Sequence, residues 1–275
     1  MATSQLEKAA RFRALHERPG AFVIPNPWDA GTARILAVLG FEALATTSAG
    51  FAFSLGRPDG AGAVTRDEAL AHCRTIASAT ELPVSADLEK CFGDDPGTVA
   101  KTIGLAAETG IVGGSVEDAT GDDRRPIYDF AHAAERVAAA VEAVHSLPFP
   151  FTLTARAENF LHGRPDLDDT VRRLEAFAAA GAAVLYAPGP PSLDAIKTVC
   201  AAVAPRPVNV LASPAFSVTQ LAEAGARRIS LGSALSRVAL GAFTDAAREM
   251  NDKGTFGFIR NATPYAELNK IMAGK

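Results

Sequence analysis

Three short stretches decide how this chain reads: Val84-Ser85-Ala86-Asp87-Leu88-Glu89, Gly114-Ser115-Val116-Glu117-Asp118 and Leu153-Thr154-Ala155-Arg156-Ala157-Glu158-Asn159. Each is a short apolar run, of the kind that forms a strand covered on both faces, and each ends in charged residues. A charge at the end of a buried strand is costly unless it is solvated, paired or metal-bound. If the strands are parallel members of one barrel, the ends of one rim converge on a single pocket. Four carboxylates (Asp87, Glu89, Glu117 and Glu158) and the Arg156 guanidinium would then meet. Hard oxygen donors of this kind suit Mg²⁺ or Mn²⁺ better than zinc.

Working outward, strand-like and helix-like patterns alternate along the chain, which predicts a parallel sheet. Candidate strands are 22–24, 43–47, 84–87, 113–117, 151–155, 183–186, 208–211 and 228–231. Helical patterns lie between them. One covers 29–39, with Asp29 as cap and Gly40 after its end. Another covers 65–79, where Thr65 and Glu68 have the spacing of a capping box. Others cover 96–109, opened by Pro96, 167–180, stopped at Gly181, and 218–224, stopped at Gly225. Eight candidate strands with helical patterns between them in 275 residues predict one (β/α)₈ barrel of TIM type over residues 1–240. Residues 241–275 are surplus to a barrel, with helical patterns over 243–251 and 264–272. They predict a helical arm, either covering the barrel or exchanged with another subunit.

Composition narrows the partners. Net charge is −4 and no basic tract stands out, so nucleic acid and anionic membrane are not expected. No apolar run is long enough to span a bilayer. The polar start, Met1-Ala-Thr-Ser-Gln-Leu-Glu-Lys, reads as a helix beginning and not a signal peptide. Three widely spaced cysteines, Cys73, Cys91 and Cys200, fit reduced thiols of a cytoplasmic protein better than a disulfide framework.

Among individual residues, Asp59 sits in a Gly/Pro-rich loop after the second strand and adds a further acid to the rim. Arg156 either pairs with Glu117 or Glu158 to neutralise the rim or forks onto a substrate carboxylate. Ser48-Ala49-Gly50 ends the second strand with small residues whose backbone N–H groups can approach an anion. Tyr186, at the end of the sixth strand, is placed to donate a hydrogen bond to substrate. His162 and Cys91 follow strand ends and are weaker candidates for the mouth; His72, His132 and His145 fall in helical patterns. No Ser-His-Asp arrangement, P-loop or dinucleotide-binding glycine motif is readable.

The order of motifs resembles the isocitrate lyase/phosphoenolpyruvate mutase superfamily: Pro27-Trp28-Asp29-Ala30, Thr47-Ser48-Ala49-Gly50 with Gly56-Arg57-Pro58-Asp59, Ala86-Asp87-Leu88-Glu89, Val116-Glu117-Asp118 and Thr154-Ala155-Arg156. The resemblance implies a barrel with Mg²⁺ dependence (Mn²⁺ as substitute) and a small 2-oxo or 2-hydroxy (di)carboxylate as substrate. It also implies homotetramers that swap a C-terminal helix. It casts Asp87, Glu89 and Glu117 as metal residues, and Asp59, Glu117 and Arg156 as catalytic. Ser48, Ala49, Gly50, Asp87 and Arg156 would bind substrate. Lyases of the superfamily follow the Glu-Asp pair with a Lys-Lys/Arg-Cys-Gly-His segment, and mutases with a Lys-Thr-Asn-Ser run. Here Ala119-Thr-Gly-Asp-Asp-Arg-Arg-Pro-Ile-Tyr128 stands in that place. The expectation is therefore a carbon–carbon lyase or decarboxylase working through a metal-stabilised enolate. The alternatives are phosphonopyruvate-type mutase or hydrolase chemistry and a non-catalytic 2-oxo acid binder.

Overall fold

The computed structural model describes residues 3–60 and 62–274. Eight parallel strands are present: β1 Phe22–Ile24, β2 Leu44–Ala45, β3 Val84–Asp87, β4 Gly113–Glu117, β5 Thr152–Arg156, β6 Val184–Tyr186, β7 Val208–Leu211 and β8 Arg228–Ser230. They pair in the order β1-β8-β7-β6-β5-β4-β3-β2. At the remaining seam the Ala45 N–H donates to the Pro25 carbonyl at 3.0 Å. The expected (β/α)₈ TIM-type barrel is the fold. Strand β2 is shorter than expected, and β5 is shifted by one residue so that Arg156 belongs to the strand.

The helices are α1 Gln5–Glu17, α2 Ala30–Val38, α3 Ser48–Ser54, α4 Arg66–Ser78, α5 Pro96–Ala107, α6 Phe130–His145, α7 Leu167–Ala180, α8 Leu193–Ala202, α9 Val218–Glu223, α10 Ala234–Lys253 and α11 Tyr265–Met272. Local chemistry sets many of their ends. The Thr65 side chain accepts from the Glu68 N–H while Glu68 reaches back to the cap, a reciprocal arrangement that satisfies two otherwise unpaired donors. Asp29 accepts from the Thr32 N–H at the start of α2. Gly181 ends α7 in the left-handed region at φ 108°, where a Cβ would also stand 2.9 Å from Val141.

Helix α3 was not foreseen. The stretch expected to end the second strand, Ser48-Ala49-Gly50, is its first helical turn, with Thr47 as the cap. Gly50 is buried there, and a Cβ would come within 2.6 Å of Thr47 and 3.0 Å of Trp28. The tail differs as well. The helix expected over 243–251 is the middle of a longer one, α10, which runs without a break across the expected division at 240/241. Arg34 of α2 donates to the Met272 carbonyl, which docks α11 on the barrel.

Helix α1 closes the end of the barrel opposite the strand-end charges. Phe12 and His16 pack edge-on to Phe22 of β1, with Phe12 fully buried. Among the described residues, no helix is long and apolar enough to cross a membrane.

Candidate active site at the strand ends

Three of the sequence-predicted acids meet around Arg156, while Glu89 and Asp59 line the cleft beside it. Its Nη1 lies 2.9 Å from Asp87, its Nη2 3.2 Å from Glu117 and its Nε 2.8 Å from Glu158. Strand register explains the meeting, because Glu117 and Arg156 are direct neighbours across β4 and β5. Asp87 closes β3 one strand further on. The Ser48 N–H, at the start of α3, donates to Asp87 at 3.2 Å. The Asp87 N–H is itself held by the Thr46 hydroxyl at 2.9 Å.

The charges are unbalanced, and this shows in the ionisation of the acids. Burial, followed by the Asp87 charge, raises the Asp59 carboxyl. Burial, then Asp87 and Asp59, pushes Glu89 up to about 7. Burial also holds Glu117 well above the usual carboxylate range, although Arg156 opposes it. Burial would lower Arg156, but Glu158, Glu117 and Asp87 together keep it well above its ordinary value. One guanidinium is shared by several carboxylates, a donor set with room for a further positive charge.

Two connected spaces open here. A cleft of about 820 Å³ is lined by Ser48, Asp59, Glu89, Glu117, Arg156, Glu158 and His162 among others. A deeper cavity of about 220 Å³ shares Ser48, Asp59 and Arg156, adds Ala49, Asp87 and Tyr186, and continues to Asn209 and Arg228. Tyr186 packs its ring 5.2 Å from the Arg156 guanidinium carbon, and burial pushes its hydroxyl up to about 12. Gly50 lies behind the wall and not on it; its N–H donates to Thr47 Oγ1 at 3.2 Å. Cys91 is fully buried in the core.

Glu158, one of the acids expected at the rim, is almost fully buried and completes the Arg156 cluster. Other parts of the site were not legible from spacing. Asp118 belongs to the same motif as Glu117 but serves the frame. It accepts the Glu158 N–H at 2.8 Å and pairs with Arg173 of α7 at 3.0 Å. The loop after β3 is unusual, since Glu89, Cys91 and Phe92 have φ of 50°, 60° and 59°, a left-handed region costly for side chains with a Cβ. Buried Arg136 of α6 holds that loop by donating to the carbonyls of Lys90 and Gly93 at 2.6 Å and of Asp94 at 2.8 Å. The signal for this role, an Arg at the spacing of the buried face with Ala133, Val137 and Ala140, names no partner.

The segment 119–128 forms a compact loop closed by an Ala119–Ile127 bridge. Thr120 and Gly121 from it line the cleft opposite Gly60 and Gly62. The Arg124 side chain points to solvent, 91% exposed. Neither thiol nor ammonium group comes from this loop.

A family model described as phosphoenolpyruvate phosphomutase matches residues 12–251. The chain belongs to that family. A solved structure of a candidate lyase/mutase from Burkholderia cenocepacia J2315 is 58% identical, with a TM-score of 0.95 over 98% of this chain and 96% of that one. A 2,3-dimethylmalate lyase, itself a phosphoenolpyruvate mutase/isocitrate lyase superfamily member, is 27% identical with a TM-score of 0.85 over 96% and 94%. An oxaloacetate acetylhydrolase solved with its product oxalate is 25% identical with a TM-score of 0.88 over 98% and 95%. This family member is thus an enzyme of the superfamily's carbon–carbon lyase or mutase type.

Proposed function

We propose that this family member breaks a carbon–carbon bond of a small 2-oxo or 2-hydroxy (di)carboxylate with the help of Mg²⁺ or Mn²⁺. One observation carries the reading: a single guanidinium, Arg156, is divided among Asp87, Glu117 and Glu158 at the foot of an open cleft. Among the described residues, no three carboxylate, imidazole or thiol groups are already arranged to hold an ion. The donor chemistry nonetheless fits a hard divalent cation. All donors are oxygens, negative charge is in excess, and burial followed by neighbouring acidic charges raises both Glu89 and Glu117 above the usual carboxylate range. Asp87, with Glu89 and Glu117 beside it, would hold the ion. Once bound, it would supply a Lewis acid for the carboxylate and 2-oxo oxygens.

The chain's own groups do the rest. Arg156, freed from part of its carboxylate company as positive charge enters, forks onto the substrate carboxylate. The backbone N–H at Ser48, which donates to Asp87, faces the same anion, with Ala49 beside it on the cavity wall. Asp59, raised by burial, takes or gives a proton at its carboxyl group. The loop 119–128 presents no Cys or Lys to act as acid, so reactions whose leaving group needs no protonation, such as release of CO₂, suit the site best.

Thermal stabilisation with Mg²⁺ against pyruvate, oxaloacetate, 2-oxoglutarate, oxalate, phosphonopyruvate, isocitrate and methylisocitrate tests the reading, with product masses read in the same wells. A Mg²⁺-dependent shift with oxalate and a 2-oxo diacid, with a new product, is expected. Phosphonopyruvate binding far above its carboxylate counterparts would transfer the site to phosphorus–carbon chemistry. Stabilisation without turnover would make the chain a binder, and no shift at all would leave the acids structural.

We also propose that the tail from α10 onward meets a second copy of the chain. Val238, Phe243, Phe256, Ile259 and Tyr265 are 71%, 72%, 62%, 60% and 83% exposed, an apolar series that a lone barrel leaves in water. Light scattering should report an oligomer, a tetramer if the superfamily's arrangement holds, and a monomer would refute it.

A further inference from the structure

Arg228, the first residue of β8, is buried at 5% exposure, yet no carboxylate pairs with it among the described residues. Its Nε donates to the Asn209 side-chain oxygen at 2.8 Å and its Nη2 to the Thr154 hydroxyl at 3.0 Å. Both partners are neutral, and Nη1 has none. Burial lowers this guanidinium to about 10, so it remains charged at neutral pH. From the closed end of the barrel, His16 offers no counter-charge. Burial and then the Arg228 charge push its ring down to about 3, and its Nε2 is also unpartnered. A buried, unpaired cation is costly, and among the described residues no acid in the frame of the barrel balances this one.

Its position suggests what does. Arg228 lines the 220 Å³ cavity that opens at Ser48, Asp87 and Arg156. Of the two cations on that cavity, Arg156 is already shared by carboxylates and Arg228 is not. Thr154, which Arg228 touches, stands two residues before Arg156 on β5 and so about 6.6 Å deeper along the strand. The cavity therefore has a cation at each of two depths, separated by about the span of a short diacid. Asn209, Ser230 and Tyr186 add neutral polar groups to the cavity lining.

We propose that Arg228 is a specificity-determining residue that receives the second carboxylate of a short 2-oxo dicarboxylate whose first carboxylate and 2-oxo group lie at the strand-end acids. This rests on the functional reading above and narrows its substrate class from 2-oxo acids at large to diacids. Small shifts of the Nη1 side toward the cavity, within the freedom of a long side chain held at only two of its nitrogens, complete the contact.

Equilibrium binding of oxalate, pyruvate and oxaloacetate in the presence of Mg²⁺ tests it, on wild type, Arg228→Gln and Arg228→Lys. Oxalate reports the strand-end site alone, and pyruvate and oxaloacetate differ by the second carboxylate. Wild type should favour oxaloacetate over pyruvate. Arg228→Gln should lose about 10- to 100-fold in oxaloacetate affinity, the span of one charge-assisted hydrogen bond, while keeping its oxalate affinity. Arg228→Lys should recover part of the preference. A wild type that does not distinguish the two acids, or an Arg228→Gln that weakens all three ligands alike, would overturn the proposal and leave the strand-end site standing. Failure of the wild type to bind even oxalate with Mg²⁺ would instead remove the functional reading, and this inference with it.

Discussion

Replacing Arg156 by Met keeps a side chain of similar reach and removes the one positive charge that Asp87, Glu117 and Glu158 share at 2.9, 3.2 and 2.8 Å. The guanidinium is 14% exposed, so water compensates little of the loss. Breaking a buried ion pair from one side costs about 3–5 kcal/mol, because the orphaned charge stays behind. For a chain of this size that predicts a fall in Tm of roughly 6–20 °C in metal-free buffer near pH 8. The pH dependence follows from the same acids. A carboxylate whose folded pKa stands above its unfolded value destabilises the fold at pH above the folded pKa. That cost fades as pH falls through the folded pKa toward the unfolded one. Glu117 already stands well above its ordinary value with Arg156 present, and it must rise further without it. The gap between the R156M variant and wild type should therefore narrow steadily toward about pH 5. Mg²⁺ should also narrow it near pH 8 by restoring positive charge. Melting curves with and without chelator across that range are the assay. A variant within about 2 °C of wild type at all pH values would show that solvent already balances the acids, and the argument for a cation site would lose its basis.

Asp87→Ala should abolish the Mg²⁺-dependent stabilisation by oxalate, and a variant that keeps both metal binding and turnover would refute the metal role given to Asp87. Because Glu89 is raised to about 7, Mg²⁺ binding near pH 6 should release a proton and tighten as pH approaches that value. Calorimetry in buffers of different ionisation heat would measure it, and a heat independent of buffer would contradict it. Arg136→Ala should free the carbonyls of Lys90, Gly93 and Asp94 and cost about 1.5–3 kcal/mol or more. Hydrogen exchange over 88–94 should rise in that variant before global unfolding, and unchanged protection there would count against the clamp. Cys73 and Cys91, fully enclosed and pushed up to about 12, should resist thiol reagents in the native protein. Cys200, partly exposed and at about 11, should react slowly, and rapid modification of either buried thiol would contradict the packing.

Local chemistry alone determined a good deal. Short apolar strands separated by capped helices specify an alternating parallel sheet, because each capping residue satisfies donors within its own turn and needs no distant partner. Thr65 with Glu68, Asp29 with Thr32 and Gly181 after α7 are such cases, and they lie where the sequence put them. Charges at the ends of buried strands likewise pointed to one rim, since strand direction and barrel closure bring such ends together. That Asp87, Glu117 and Arg156 meet follows from this reasoning.

Which partners they choose there was left to the tertiary structure. The sequence offered Arg156 either a carboxylate of its own rim or one from a substrate. Register across β4 and β5 and the turn after Arg156 give it Glu117, Glu158 and Asp87 at once. Helix α3 escaped notice because its seven residues include a glycine and no clear apolar period, and its first turn is fixed by burial of Gly50 against Trp28. Arg136 and Arg228 carried no readable role in the sequence, each standing beside another charged residue, Glu135 and Arg227. The first acquires its role from a loop some forty residues earlier and the second from Thr154, 74 residues earlier. Contacts of that range are set by how the strands tilt and close into a barrel, and no window of the chain contains that geometry.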